Sequence, residues 1–327
     1  MDKEGFCKYL DGRNTSKDAI RDYIALAERF ENFLAKIGNE EENGLPDSED
    51  VLAFSALLIQ ERLNTIDNYL ALVRYGQFLN NDRIFITAVN LVDGAEVMDN
   101  LYHRLGEEVG DQKRDEIFEG IELPPMGTPS SEKPRITKIV MERLQSQVDP
   151  ELCRKLLSPS LRTLDGEQFL EDRKKYLECG NLEVYLVRKG QEFIAELEQI
   201  QSEGKLYFTQ EITDEVLDFV RNTPLVAHGV REGNILYEVK IPYMSKEYLA
   251  ETDDRMKRYY YCHCPWVRES NKDGNLTVPS MFCHCSAGFV KKPWEVIFDQ
   301  PLEAEAVETV LKGDKWCKIA IQLPEGV

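Results

Sequence analysis

Two short stretches concentrate the residues able to do chemistry: "YYYCHCPWVRES", starting at Tyr259, and "MFCHCSAGFVKKPW", starting at Met281. Together they place Cys262, His263, Cys264, Cys283, His284 and Cys285 within 24 residues, and Cys317 follows. Thiolate and imidazole are the ligands of zinc, and iron–sulfur clusters take four ligands that are mostly cysteine. The candidate metal ligands are therefore Cys262, Cys264, Cys283, Cys285, Cys317, His263 and His284. Zinc is the expected cofactor, with an iron–sulfur cluster as the alternative. The spacing is C-x-C, eighteen residues, C-x-C, unlike the C-x-x-C pairs of common zinc modules. Five cysteines also exceed four ligands, so either one reactive thiol is spared or only some of them meet. The competing account is that cysteine is a small, readily buried residue that lines cores. It explains the histidines less well, because each buried imidazole needs a partner.

The local pattern says how these side chains are held. "RYYYCHC" reads as a strand, which puts Cys262 and Cys264 on one face, ~7 Å apart at Cα, and His263 on the other. "CHCSAGFVKKPWEV" reads as a turn into a helix at Ser286, with Cys283 and Cys285 near its N-terminus. The helix dipole there favours thiolate. That suits a ligand or a nucleophile, and makes Cys285 the candidate catalytic residue if the protein is a thiol-dependent hydrolase or redox enzyme.

The elements that must carry this cluster predict an α+β protein. In the first half, Thr15 or Ser16 caps a helix with Ile20, Tyr23, Ile24, Ala27, Phe30, Leu34 and Ile37 on one face, ended by Gly38. "NEEENGLPDSED" is a polar loop before a helix capped by Asp47 or Ser48, and Thr65 opens a third. Further helices are predicted from Ala95 to Val109, from Arg114 to Glu119, after Ile136, and from Leu182 to Gln201. "IELPPMGTPSSEKPR" is a Pro-rich linker. After Gly204, "LYFTQ", "NILYEVKIPY" and "WCKIAIQL" read as strands of an antiparallel sheet, with "TDEVLDFVRN" helical between them. The expected domains are a helical one over 1–175 and an α+β one over 176–327.

Composition bounds the function. Lys and Arg number 40 against 59 Asp and Glu, a formal charge of −19. That excess repels phosphate backbones and anionic lipid, so neither nucleic acid nor a membrane is an expected partner. The chain has no run of ~20 apolar residues and opens without a signal-like segment. A cysteine cluster in a chain of this size points to metal or redox chemistry in a reducing compartment, and the expected location is the cytoplasm. No feature of the sequence fixes an oligomeric state.

Tyr259, Tyr260, Tyr261, Trp266, Trp294 and Trp316 surround the cluster in sequence and could wall a small-molecule pocket or form an ordinary core. Arg268, Lys291 and Lys292 could hold a carboxylate ligand, lower thiol pKa values, or face solvent. Glu211, Glu215, His228, Arg231 and Glu232 offer acid–base groups, but no local pattern joins them. His103 falls on a helix surface. The Gly-rich phosphate loop, H-E-x-x-H and G-x-S-x-G are absent.

"PLEAEAVETVLKGDKWCKIAI" carries Glu305, Glu308, Gly313, Asp314 and Cys317. In these it resembles the end of 4-vinyl reductase domains, small-molecule-binding modules that close with an acidic strand, a Gly-Asp turn and a cysteine opening the last strand. More loosely it is similar to the L-2-amino-thiazoline-4-carboxylic acid hydrolase family. The resemblance covers about the last 120 residues; the chain as a whole resembles an uncharacterised family of prokaryotic proteins. Phenol-sensing relatives hold a structural zinc in this area, which implies a metal beside a ligand pocket. Where those sensors have a second cysteine before the Gly-Asp turn, this chain has Glu308-Thr309, so the Cys-His-Cys pairs would have to replace it. The functional expectation is a small-molecule-binding protein with a Cys/His metal site, with a thiol enzyme or an iron–sulfur protein as alternatives.

Overall fold

The computed structural model describes residues 1–38 and 46–327. The chain is a helical N-terminal half followed by an α+β region with antiparallel sheets. It forms two compact units, residues 1–95 with 122–133, and residues 96–121 with 134–327. Of the helical stretch expected over 1–175, the part up to residue 95 belongs to the first unit and most of the rest to the second. Residues 39–45 of the polar loop lie outside the described residues.

The first unit contains α1 (Lys3–Asp11), α2 (Lys17–Lys36), α3 (Ser48–Gln60), α4 (Ile66–Phe78) and α5 (Asp82–Val92). Each begins at a side chain that accepts an otherwise orphaned N–H: Asp2, Ser16, Asp47, Thr65 and Asn81. At α3, Asp47 and Asp50 cap reciprocally. The helices bury Phe6, Phe30, Phe54, Tyr69 and Tyr75 in one core. The Tyr69 hydroxyl shares a hydrogen bond with Ser55, which donates to the Gly127 carbonyl in the Pro-rich segment.

The second unit opens with α6 (Val97–Val109), α7 (Asp111–Phe118), α8 (Lys133–Gln147), α9 (Pro150–Leu157), α10 (Leu170–Cys179) and α11 (Leu182–Ser202). A two-stranded hairpin follows, β1 (Leu206–Tyr207) with β2 (Gln210–Glu211), then α12 (Asp214–Arg221) and α13 (Pro224–Ala227). The main sheet uses β3 (Val230–Glu232), β4 (Ile235–Val239), β5 (Ala304–Glu308) and β6 (Lys318–Gln322), in the order β3-β4-β6-β5 with every pair antiparallel. Between β4 and β5 run α14 (Ser245–Ala250), α15 (Asp254–Tyr261), a 3-10 turn over Ser280–Cys283, and α16 (His284–Phe298).

Alternation decides which sheet face is covered. Leu236, Ala306, Ile319 and Ile321 share one buried cluster with Ala287, Val290, Trp294 and Ile297 of α16 and with Leu182, Tyr185 and Leu186 of α11. The first turns of α16 are held from the other side by residues 158–160. A Cβ on Gly288 would stand 2.1 Å from the Ser158 carbonyl oxygen and 2.2 Å from the Ser160 nitrogen. Both are backbone atoms, and no side-chain rotation relieves them.

Gly288→Ala is therefore expected to cost about 3 kcal/mol or more, read as a lower denaturant midpoint, whereas Gly166→Ala, whose Cβ would meet only the Val296 methyl at 3.4 Å, is expected to be near neutral.

Candidate functional site

The site lies where β4 and β6 part. On β4, Leu236 and Glu238 face α16, and Glu238 accepts a hydrogen bond from Trp294 Nε1 at 2.9 Å and an ion pair from Lys189. Two residues further, the alternation turns Lys240 to the same side. Its Nζ is 3.4 Å from Ser286 Oγ and 4.2 Å from the Phe289 ring centroid, both on α16. Val239 pairs with Lys318, so one more step in that register sets Cys317 across from Lys240.

The first Cys-His-Cys stretch reaches this point differently from the sequence reading. "RYYYCHC" is not a strand: residues 254–261 are α15, capped by Asp253, which accepts the Met256 N–H. The cap, Asp254 in the first turn and Arg258 in the last complement the helix dipole, and they outweigh the strand preference of three tyrosines. The helix stops at Cys262. Buried Tyr261 donates its hydroxyl to the Cys317 carbonyl at 3.2 Å, bringing the end of α15 under β6. The chain then turns, with the Cys264 carbonyl accepting N–H groups from Val267 and Arg268. Cys262 and Cys264 come together through that turn, not through a shared strand face. His263 Nε2 lies 2.7 Å from the Ile241 carbonyl and so carries the proton.

The second stretch enters α16 as expected, two residues earlier than Ser286, with Cys283 and Cys285 in its opening turn. The Leu161 N–H donates to Cys285 Sγ at 3.2 Å. That segment is fastened from α6: Arg104 donates to the Leu156 and Ser160 carbonyls at 2.7 and 2.9 Å, and Asn100 to the Leu161 carbonyl at 2.8 Å.

The five thiols act on one another electrically. Burial pushes Cys262 and Cys264 up to about 12 and Cys317 up to about 11, and raises Cys283 and Cys285 as well. After burial, the Cys317 charge raises Cys262 and Cys283, and those of Cys262 and Cys285 raise Cys264. All five are free thiols, protonated at neutral pH. Burial and the cations Lys240, Arg162 and Arg268 drive His263 down to about 3, keeping it neutral. Among the described residues, no three His, Cys, Asp or Glu side chains stand at the spacing of ligands around one ion.

Cations complete the site. Arg268 is 4% exposed; its guanidinium lies 4.5 Å from the Tyr243 ring centroid, and its Nε has no hydrogen-bond partner. Burial works against its charge, but Tyr243, which also hydrogen-bonds it, Tyr259 and Cys262 outweigh that and raise its pKa. The foremost electrostatic neighbours of Lys240 are Arg162, Cys317, Cys285 and Cys264, and burial first, then Arg162, lowers Lys240 to about 8. Neither set contains a carboxylate. Lys240, Arg162, His263, Cys264, Ser286, Phe289 and Cys317 keep partial exposure, whereas Cys262, Cys283 and Cys285 are buried behind them.

Of the sequence candidates, Cys262, His263, Cys264, Cys283, Cys285 and Cys317 gather here. His284 points elsewhere, towards Glu305, with Nδ1 buried and without a partner. Arg268 belongs to the site, but Lys291 and Lys292 pair with Glu295. Trp294 and Trp316 are tied to Glu238 and Glu308. Glu211 pairs with Lys246 and Arg231 with Glu183, so the dispersed acid–base set does not assemble. His103 is exposed on α6. Lys240, Arg162 and Arg104 were invisible as site residues; the one available signal was a lysine at an inward position of "LYEVK". Two open clefts of about 570 and 410 Å3, beside Leu170 and Asp299 and beside His228 and Val187, are lined by none of the thiols.

Compared with known protein families, curated proteins and solved structures, the chain matches none.

Arg104→Met removes two charge-assisted hydrogen bonds to the segment that covers Cys285; a loss of about 3 kcal/mol and faster iodoacetamide labelling of Cys285, mapped by mass spectrometry, are the expected results.

Proposed function

We propose that this recess is a thiolate-ligated metal centre of a cytoplasmic protein, held by Cys262, Cys264, Cys283 and Cys285, with Cys317 as the fifth thiol. The observation that carries the reading is the convergence of five cysteines from three separate chain segments beside the buried Arg268. Its charge is held by a hydrogen bond with Tyr243 and by the field of Tyr259 and Cys262. Four thiolates around a divalent ion or a cluster leave net negative charge that Arg268 would offset, whereas five neutral core thiols would not.

The spacing bears on which metal. A single zinc ion, with Zn–S bonds of ~2.3 Å, draws four sulfurs onto one point. Here the thiols feel one another without standing at single-ion spacing. An iron–sulfur cluster is ligated by cysteines at several metal atoms and asks for wider spacing than one ion does, and it is the reading we put to the test. Bound there, it would supply one-electron transfer; the chain would supply the thiolates, the cation beside Cys262 and exclusion of water. Metal binding would also displace the thiol protons that burial now retains. A hydrolase using Cys285 is less well supported: the thiol is kept protonated, and the hydrogen bond given by Nε2 of His263 goes to a carbonyl.

The expected result of anaerobic purification is a coloured protein with iron and acid-labile sulfide in matched amounts, and Cys262→Ser with Cys283→Ser is expected to remove both. Zinc alone, bound by the same cysteines, would restore the single-ion reading, and absence of any bound metal would end the proposal.

A further inference from the structure

The partly exposed rim of the site has a chemistry of its own. Lys240 Nζ donates to Ser286 Oγ at 3.4 Å, which leaves the serine proton available to an acceptor. The same Nζ lies 4.2 Å from the Phe289 ring centroid, and the Arg162 guanidinium carbon lies 5.8 Å from it, so two cations share one aromatic ring. The nearest acid on the Lys240 face of β4, Glu238, is already engaged by Lys189 and Trp294. These groups stand at the first turn of α16, which no side chain caps and which is the positive end of a 15-residue helix. An ammonium, a hydroxyl donor, a second cation and a helix N-terminus converge where Lys240, Ser286, Arg162 and Phe289 keep partial exposure. Among the described residues, Lys240 makes no ion pair; its side chain contacts Ser286 and Phe289.

We infer that Lys240, Ser286 and Arg162 form an anion site at the partly exposed edge of the thiol cluster and that its ligand is a small organic carboxylate seated against Phe289. A single negative charge matches the one ammonium that lacks an ionic partner, and the ring offers an apolar wall for the organic part. A dianion would bring an extra charge into a recess walled by Phe289 and thiols. Arg162 enters only through its charge. The inference stands apart from the metal reading, since none of these three side chains is a proposed ligand, and it gives the recess an occupant whether or not metal is bound.

Calorimetric titration of the full-length protein, with metal content measured on the same sample, tests it using acetate, benzoate and the neutral isostere benzamide. Saturable binding of a carboxylate is expected, with no comparable binding of benzamide. Lys240→Met is expected to weaken binding at least about ten-fold and Ser286→Ala about three-fold. Should Lys240→Met fail to fold, acylation of Lys240 in the wild-type protein, followed by mass spectrometry, is expected to slow when benzoate is present. Equal affinity for benzoate and benzamide, unchanged affinity in Lys240→Met, no saturable binding of either carboxylate, or unprotected Lys240 would each overturn the inference. Metal analysis and carboxylate binding are separate readouts, so either reading can fail alone.

Discussion

The register of β4 on β6, continued one residue past the last paired position, is the constraint on which the site depends. It fixes Leu236 and Glu238 on the covered face of the sheet and leaves no choice about Lys240 and Cys317, which must point the same way. A one-residue slip of β6 against β4 would turn Cys317 outward and bring Lys318 in. The sheet alone does not make the recess, however. Residues 158–161 close it by passing against α16 at a glycine, where no other residue fits, and by presenting a backbone N–H to Cys285. Arg104 and Asn100 keep that segment in place. The deep thiols are therefore set by backbone geometry and hydrogen bonds remote from them.

The electrostatics of the recess are unusual for a hydrophobic core. Its thiols are neutral, its histidine is neutral, and its charged members are cations. Buried cations need hydrogen-bonding or charged partners, which Arg268 finds in Tyr243. The depth ordering separates two demands. Arg268 is buried beside Tyr243, Tyr259 and Cys262, whereas Lys240 keeps partial exposure beside Ser286. A metal centre behind and a carboxylate in front would satisfy both, each through groups the other does not use.

Much of the scaffold was legible because its signals are local. Ser16, Asp47 and Thr65 announced their helices, Gly38 ended one with a positive φ, and "WCKIAIQL" formed the closing strand. The concentration of cysteine drew attention to this part of the chain, although how the thiols are held depends on contacts between residues more than a hundred positions apart, as between Leu161 and Cys285. Reading failed where a cap competed with composition: three consecutive tyrosines suggested a strand, and Asp253 made a helix. The cations were missed for a different reason. Lys240 lies beyond the end of its strand, and its burial comes from α16, some 45 residues away in sequence. Neither alternation nor spacing conveys that. His284 shows the converse, a residue in the motif whose helical position turns it away from the thiols.

The most direct test of the central claim is X-ray absorption at the metal edge of anaerobically isolated protein. The account predicts a first shell made of sulfur, with metal–metal scattering from a cluster. A first shell of nitrogen and oxygen, or a protein that holds no metal when isolated in this way, would contradict it.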